Sequence, residues 1–201
     1  MFQKLDELGK TLVIGRRTNV RYKNKPLYHP SDVTKLAKQK GRLFVVSAID
    51  YFFIARNAFP WHRIPDMVIG RNGYDNFLVL TAIENNVSVI DATGTLLAVH
   101  QTDEEGNFAG TKNTVKKRIN LKLLHKITKT RVRKYILPRG YTDPAPYETI
   151  YANNNSDGAI TVMFIRRPQL PVQNSKRKKI GKVEAVSIAE PLQNGQHAQN
   201  P

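Results

Sequence analysis

Asn72-Gly73-Tyr74-Asp75-Asn76-Phe77-Leu78-Val79-Leu80-Thr81-Ala82-Ile83-Glu84-Asn85-Asn86-Val87-Ser88-Val89-Ile90-Asp91 changes its hydrophobic period partway along. In the first half Tyr74, Phe77, Leu78, Thr81 and Ala82 recur at i, i+3, i+4, i+7 and i+8, the stripe of a helix that packs one face on a core. Asn72 is placed to cap it, which puts Asp75 in the first turn, where free backbone N–H groups and the helix dipole favour a charged carboxylate. Asn85-Asn86 closes the helix, and the β-branched run Val87 to Asp91 predicts a strand. Helix and strand in direct succession point to an α/β chain, a mixed sheet with flanking helices.

Upstream, residues 2 to 8 suit a helical turn or two, and Thr11 to Gly15 reads as a short buried strand ended by glycine. Arg16 to Pro30 is a basic loop. Ser31 or Asp32 then caps a helix that runs to about Lys40 and stops at Gly41. Leu43 to Ile54 is one bent strand or two short ones with Asp50 in its middle. An unpaired carboxylate in so apolar a run is costly to bury, so Asp50 should face a polar cleft or a specific partner. Phe59 to Pro65 is a proline-bracketed turn, and Met67 to Gly70 resembles a strand.

Downstream, Thr93-Gly94 is a turn, and Thr95 to Gln101 is a strand with His100 near its end. Asp91 fits an Asx-type bond to Thr93 that stabilises the turn. Thr102 to Thr114 is a polar loop, and Val115 to Arg133 is basic with patchy helical periodicity through Ile119, Leu123, Leu124 and Ile127. Tyr147 to Arg167 holds two strands around an Asn- and Gly-rich turn at 153–158. From Pro168 onward, Pro, Gln, Asn and Lys predict disorder.

Of 201 residues 40% are hydrophobic, enough for one core of ordinary size but not for two large domains. The expected organisation is one domain over residues 1–167 and a disordered basic tail over 168–201. Cysteine is absent, which excludes disulfides and thiolate sites. The longest apolar runs, 41–55 and 77–83, fall short of the roughly 20 apolar residues a membrane span requires. The opening residues carry acids and lead into no apolar segment, so they do not read as a secretory signal. The net charge of +16 favours an anionic partner, but its distribution matters more. Residues 1–42 hold eleven Lys and Arg against three acids and 111–140 hold eleven against none, whereas 43–110 hold three against eight. An acidic centre is a poor seat for a phosphate backbone and a good one for activating hydroxyls or holding a divalent ion. A basic, non-catalytic nucleic-acid or polyanion-binding protein is the alternative, disfavoured by that centre and by the lack of any helix-turn-helix, zinc-finger or RNP-type pattern.

Five strings carry a resemblance through their order and spacing: Ala48-Ile49-Asp50-Tyr51-Phe52-Phe53, Ile64-Pro65-Asp66, Ile69-Gly70-Arg71 with Tyr74-Asp75-Asn76-Phe77-Leu78, Val89-Ile90-Asp91-Ala92-Thr93, and Ala98-Val99-His100-Gln101. Over roughly residues 5 to 150 the chain resembles a group of GT-A-type glycosyltransferase-like proteins, and Leu12 to Arg17 looks like the strand after the metal-binding region of such enzymes. The resemblance implies the acceptor-side, C-terminal portion of a GT-A-like fold with the N-terminal nucleotide-binding half missing. It implies a nucleotide-diphosphate sugar donor, a divalent metal (Mn or Mg), and transfer of the sugar to a hydroxyl of a glycan or other acceptor. The D-x-D metal motif of complete members does not occur here, and Asp103-Glu104-Glu105 lies downstream in a loop, so the chain alone is expected to be inactive. A full-length parent could work in the Golgi lumen or in the cytoplasm.

On that resemblance Asp75 becomes the catalytic base that takes the acceptor proton, against its bland role as a first-turn helix carboxylate. Asp50 would orient sugar hydroxyls, or else bond neighbouring backbone N–H groups or Arg71. Arg71 would hold a diphosphate, or an ion pair with Asp50 or Asp66. Trp61 and Tyr74 would stack on a sugar ring, or simply pack. His100 would be the last metal ligand, or a hydrogen-bonded surface histidine. The basic run 112–139 is a solvated face, a diphosphate-facing loop, or a site for an anionic acceptor or membrane surface. Asn86-Val87-Ser88 and Asn154-Asn155-Ser156 match the N-glycosylation triplet, which also arises by chance.

Overall fold

A computed structural model of the chain describes residues 9–21, 29–54, 57–102, 118–153, 160–168 and 186–188. Along it come β1 (Thr11–Gly15), β2 (Arg17–Arg21), α1 (Pro30–Lys40), β3 (Arg42–Leu43), β4 (Tyr51–Ile54), α2 (Tyr74–Glu84), β5 (Ser88–Asp91), β6 (Ala98–Thr102), α3 (Ile119–Thr128), α4 (Val132–Tyr135), β7 (Tyr147–Asn153), β8 (Ile160–Arg166) and β9 (Val186–Ile188). Six strands form a mixed sheet in the order β4-β1-β5-β7-β8-β9, with β1, β5 and β7 parallel and the other pairings antiparallel. A second sheet has the order β3-β2-β6, β2 running antiparallel to β3 and parallel to β6. The α/β class and mixed sheet match the sequence, and no helix among the described residues is long and apolar enough to cross a membrane.

Every residue of β1 is buried, because the strand lies between β4 and β5 and is covered on both faces. Leu12 and Ile14 point to one side, where Leu78, Val79 and Ala82 of α2 pack with Val87 and Val89. Val13 points to the other, against Ile90, Ala92 and Phe164. Below the turn after β5, Asp91 Oδ1 accepts from the Thr93 backbone N–H at 2.9 Å, the Asx bond expected there, while its Oδ2 takes a 2.8 Å bond from Arg167. Arg167 also bonds Glu148 of β7, so one guanidinium joins two neighbouring parallel strands and neutralises a carboxylate only 2% exposed.

Several expectations need correction. α2 buries more than one face: beyond its contacts with the sheet, Leu80 and Phe77 meet Leu124, Val132 and Ile136 of the α3–α4 layer, so the helix is apolar nearly all round. Its N-cap is Gly73, with φ 97°, and not Asn72. There the left-handed backbone favours glycine, while Leu121, Leu124 and Leu137 stand 3.3 to 3.5 Å from where a side-chain carbon would begin, close to ordinary packing contact. α1 starts at Pro30 behind His29 with no side-chain cap from Ser31 or Asp32, although Gly41 does terminate it. The loop proposed for 16–30 contains β2, and Met67 to Gly70 is not a strand. The segment 43–54 resolves into two short strands, β3 and β4, joined by irregular chain. Within the tail expected to be disordered, Val186–Ile188 pairs with β8. The helical turns expected at 2–8, the loop residues 103–114 and the rest of the tail beyond Pro168 lie outside the described residues.

Candidate functional site

β1 ends at Gly15, and the next two residues carry the chain from the large sheet into the small one. In parallel α/β sheets the carboxyl ends of strands are where clefts open. Here a cleft of about 530 Å³ forms between that crossing, the 44–50 segment and the mouth of α2; Asp50, Arg71, Asp75, Asn76, Arg133 and Tyr141 are among its walls.

The scaffold around it is held by two buried amides. Asn76, one residue beyond Asp75, donates to Ser47 O at 3.0 Å and Gly140 O at 3.3 Å, tying the helix mouth to both flanking segments. Gly140 comes so close to the Asn76 carbonyl oxygen that any side-chain carbon there would collide with it. Asn120 of α3, 1% exposed, donates to Val68 O at 2.8 Å and Arg71 O at 3.2 Å and accepts from Val68 N–H at 2.9 Å. These bonds replace the strand pairing that 67–70 lacks and present Arg71 at the cleft.

Asp50 is paired with Arg17, whose guanidinium bonds its Oδ1 and whose backbone N–H reaches its Oδ2 at 3.4 Å. Arg17 is held in turn by Asn19 Oδ1 at 2.9 Å and by the Phe44 ring, 4.5 Å from its guanidinium carbon. The specific partner expected for Asp50 is therefore Arg17, not Arg71. Arg71 bonds only Gly70 O, at 3.2 Å, and has no carboxylate partner among the described residues.

Asp75 differs from the other inward carboxylates. Asp50, Asp91 and Glu148 each have a cation within bonding distance, whereas Asp75 receives no hydrogen bond from any described residue. Burial pushes its carboxyl up to about 6, and the negative charge of Asp50 adds to the rise. The helix mouth acts in the opposite direction, but its typical ~0.3–1 kcal/mol is smaller than the rise from 3.8 to about 6, on the order of 3 kcal/mol. A carboxylate poised near neutrality, open to a cleft and unengaged, can accept a proton from a bound hydroxyl.

Thus Asp50, Arg71 and Asp75 come together, and three other candidates stand apart. Trp61, 51% exposed, sits in a 3-10 turn with its ring 4.5 Å from that of Phe59. Tyr74 packs against the Leu12 and Ile14 core on the far side of the helix mouth. His100 lies in β6 opposite Asn19, with its Nδ1 buried and lacking a partner among the described residues. No group of three or more His, Asp or Glu among the described residues could hold a metal ion. The sequence did not disclose Arg17, Asn76, Asn120 or Arg133; only Asn120 left a signal, a polar residue one turn from Leu124 on a stripe that is otherwise apolar.

No family model, curated protein or solved structure matches the chain.

Proposed function

We propose that this chain is the acceptor side of a GT-A-like glycosyltransferase, in which Asp75 removes the proton from an acceptor hydroxyl as that oxygen attacks the anomeric carbon of a nucleotide-diphosphate sugar. The observation that carries the reading is the Asp75 carboxyl, raised to about 6 beside an open cleft with no hydrogen-bond partner among the described residues. A general base is most effective when its pKa lies near the working pH, and such a base contributes about 10²–10⁴-fold. In the transfer the new bond joins acceptor oxygen to anomeric carbon, the proton passes to Asp75, and the nucleoside diphosphate leaves. Asp50, fixed by Arg17, is placed to accept hydrogen bonds from the acceptor's neighbouring hydroxyls, and Arg71 offers an uncommitted guanidinium to the leaving diphosphate. Donor and divalent ion belong to this proposal. The described residues do not supply a ligand set, so no step is assigned to the ion, and His100 is at most one ligand with a free nitrogen.

The test is release of nucleoside diphosphate from UDP-, GDP- and dTDP-sugars in the presence of mixed glycan acceptors, by the protein as its cell makes it and by its Asp75→Asn variant. The expected result is transfer that falls about 10²-fold or more in the variant with little change in KM. Undiminished turnover in the variant, or no release by the unaltered protein across the panel, would end the reading.

A further inference from the structure

Across Arg133 from the cleft lies a second concavity, about 470 Å³, between α3 and α4. Its floor is apolar, formed by Leu121 and Val132. Its rim is cationic: Arg118, Lys122, Arg131 and Arg133, with His125 between them. Among the described residues none of these four cations is paired with a carboxylate, and no Asp or Glu occurs anywhere from 106 to 142. The rim is also shaped rather than random. His125 Nδ1 donates to Thr130 O at 2.6 Å, and Lys129 takes the left-handed conformation, φ 55°, that turns the chain from α3 back to Arg131.

Arg133 and Leu121 line both concavities, so the two share a wall. One side offers carboxylates suited to hydroxyls, the other cations suited to an anion. A ligand that reaches from one into the other past Arg133 and Leu121 carries a hydroxyl at one end and a negative group at the other. Several convergent cations suit a multiply charged tetrahedral oxyanion better than a single carboxylate, and the apolar floor suits a short carbon skeleton. A continuous nucleic-acid backbone fits poorly, because past Arg133 its next phosphates would meet Asp50 and Asp75.

We infer that the α3–α4 groove binds the phosphomonoester group of a small phosphorylated acceptor whose hydroxyl lies at Asp75; this assignment rests on the transfer reading above. Arg118 and Arg131 rim the groove and do not line the cleft, so they separate the two sites. The experiment titrates the full chain calorimetrically with inorganic phosphate, glucose 6-phosphate and glucose, in parallel with an Arg118→Gln/Arg131→Gln double variant whose fold is checked by circular dichroism.

Glucose 6-phosphate should bind at least tenfold more tightly than glucose, and the double variant should lose roughly tenfold for both phosphate ligands while its weak glucose binding is unchanged. Equal binding of glucose and its phosphate, or phosphate binding indifferent to the double variant, overturns the inference. Tighter, steeply salt-dependent binding of a single-stranded RNA 20-mer also overturns it, in favour of a polyanion surface. The two readings fail separately. Phosphate binding that needs Arg118 and Arg131, with no Asp75-dependent transfer, leaves the anion site and removes the transferase. Asp75-dependent transfer with equal kcat/KM for neutral and phosphorylated acceptors does the reverse.

Discussion

Replacing Asp75 by Asn should make the protein more stable at pH 8 and leave its stability at pH 4 nearly unchanged. The carboxyl is raised from the ordinary 3.8 to about 6 in the folded chain. Between those two values the folded state holds the proton that the unfolded state has released, so stability falls as pH rises through the window and is lowest above pH 6. At 1.36 kcal/mol per unit the full displacement is on the order of 3 kcal/mol, an upper bound because water in the open cleft screens the charge. The Asn side chain keeps the shape and cannot ionise, so the variant escapes the loss. At roughly 2–4 °C per kcal/mol for a chain of this size, the gain at pH 8 amounts to at most about 6–12 °C in Tm. Urea or thermal melts of both proteins at pH 4, 6 and 8 measure it. A variant less stable than the parent at pH 8, or a difference independent of pH, would show that the carboxylate is held by favourable contacts and would refute the account of its pKa. Such a gain in stability together with lost turnover is the expected signature of a residue kept for function.

Two further outcomes follow from the same wall. Asp50→Asn removes the like charge and frees the Arg17 cation, so the Asp75 pKa should fall, though not to 3.8, because burial is the larger cause; carbon-detected NMR titration of the Asp75 carboxyl reads this directly, and an unmoved or raised pKa would refute it. Asn120→Ala strips three part-buried hydrogen bonds from the backbone at Val68 and Arg71 and should cost about 1.5–4 kcal/mol, with faster amide exchange at Val68; a loss below about 1 kcal/mol in urea melts would mean that the amide does not brace the cleft.

The elements legible in the sequence are those whose evidence is local. α2, β1, β5 and the β7–β8 pair each announce themselves by period and punctuation within a dozen residues. β2 was invisible because only Val20 among its five residues is buried, so no alternation marks it. Met67 to Gly70 has strand-like composition but finds a side chain of α3 in place of a neighbouring strand, and composition cannot show that. The run Phe77 to Leu80 could have warned that α2 is enclosed on more than one side, since a single stripe leaves no place for Val79 and Leu80 together. At the cleft the sequence points to Asp50 and Asp75, but the Asp50 partner lies 33 residues upstream, and burial raises the Asp75 pKa where the helix mouth alone would lower it. The local rule sees the helix mouth, whereas the burial that decides comes from walls distant in sequence.

Where Gly140 and Asn76 touch main chain to main chain, no room remains even for a methyl group. Packed side chains can slide and repack, whereas this contact between two backbones leaves no side chain to adjust. The mouth of α2 and the 137–140 turn are held together there by this close approach and by the Asn76 amide bonded to Gly140 O. The opposite lip at 44–48 carries no such contact among the described residues, and with Val45 55% exposed it is where engineering for larger ligands should begin.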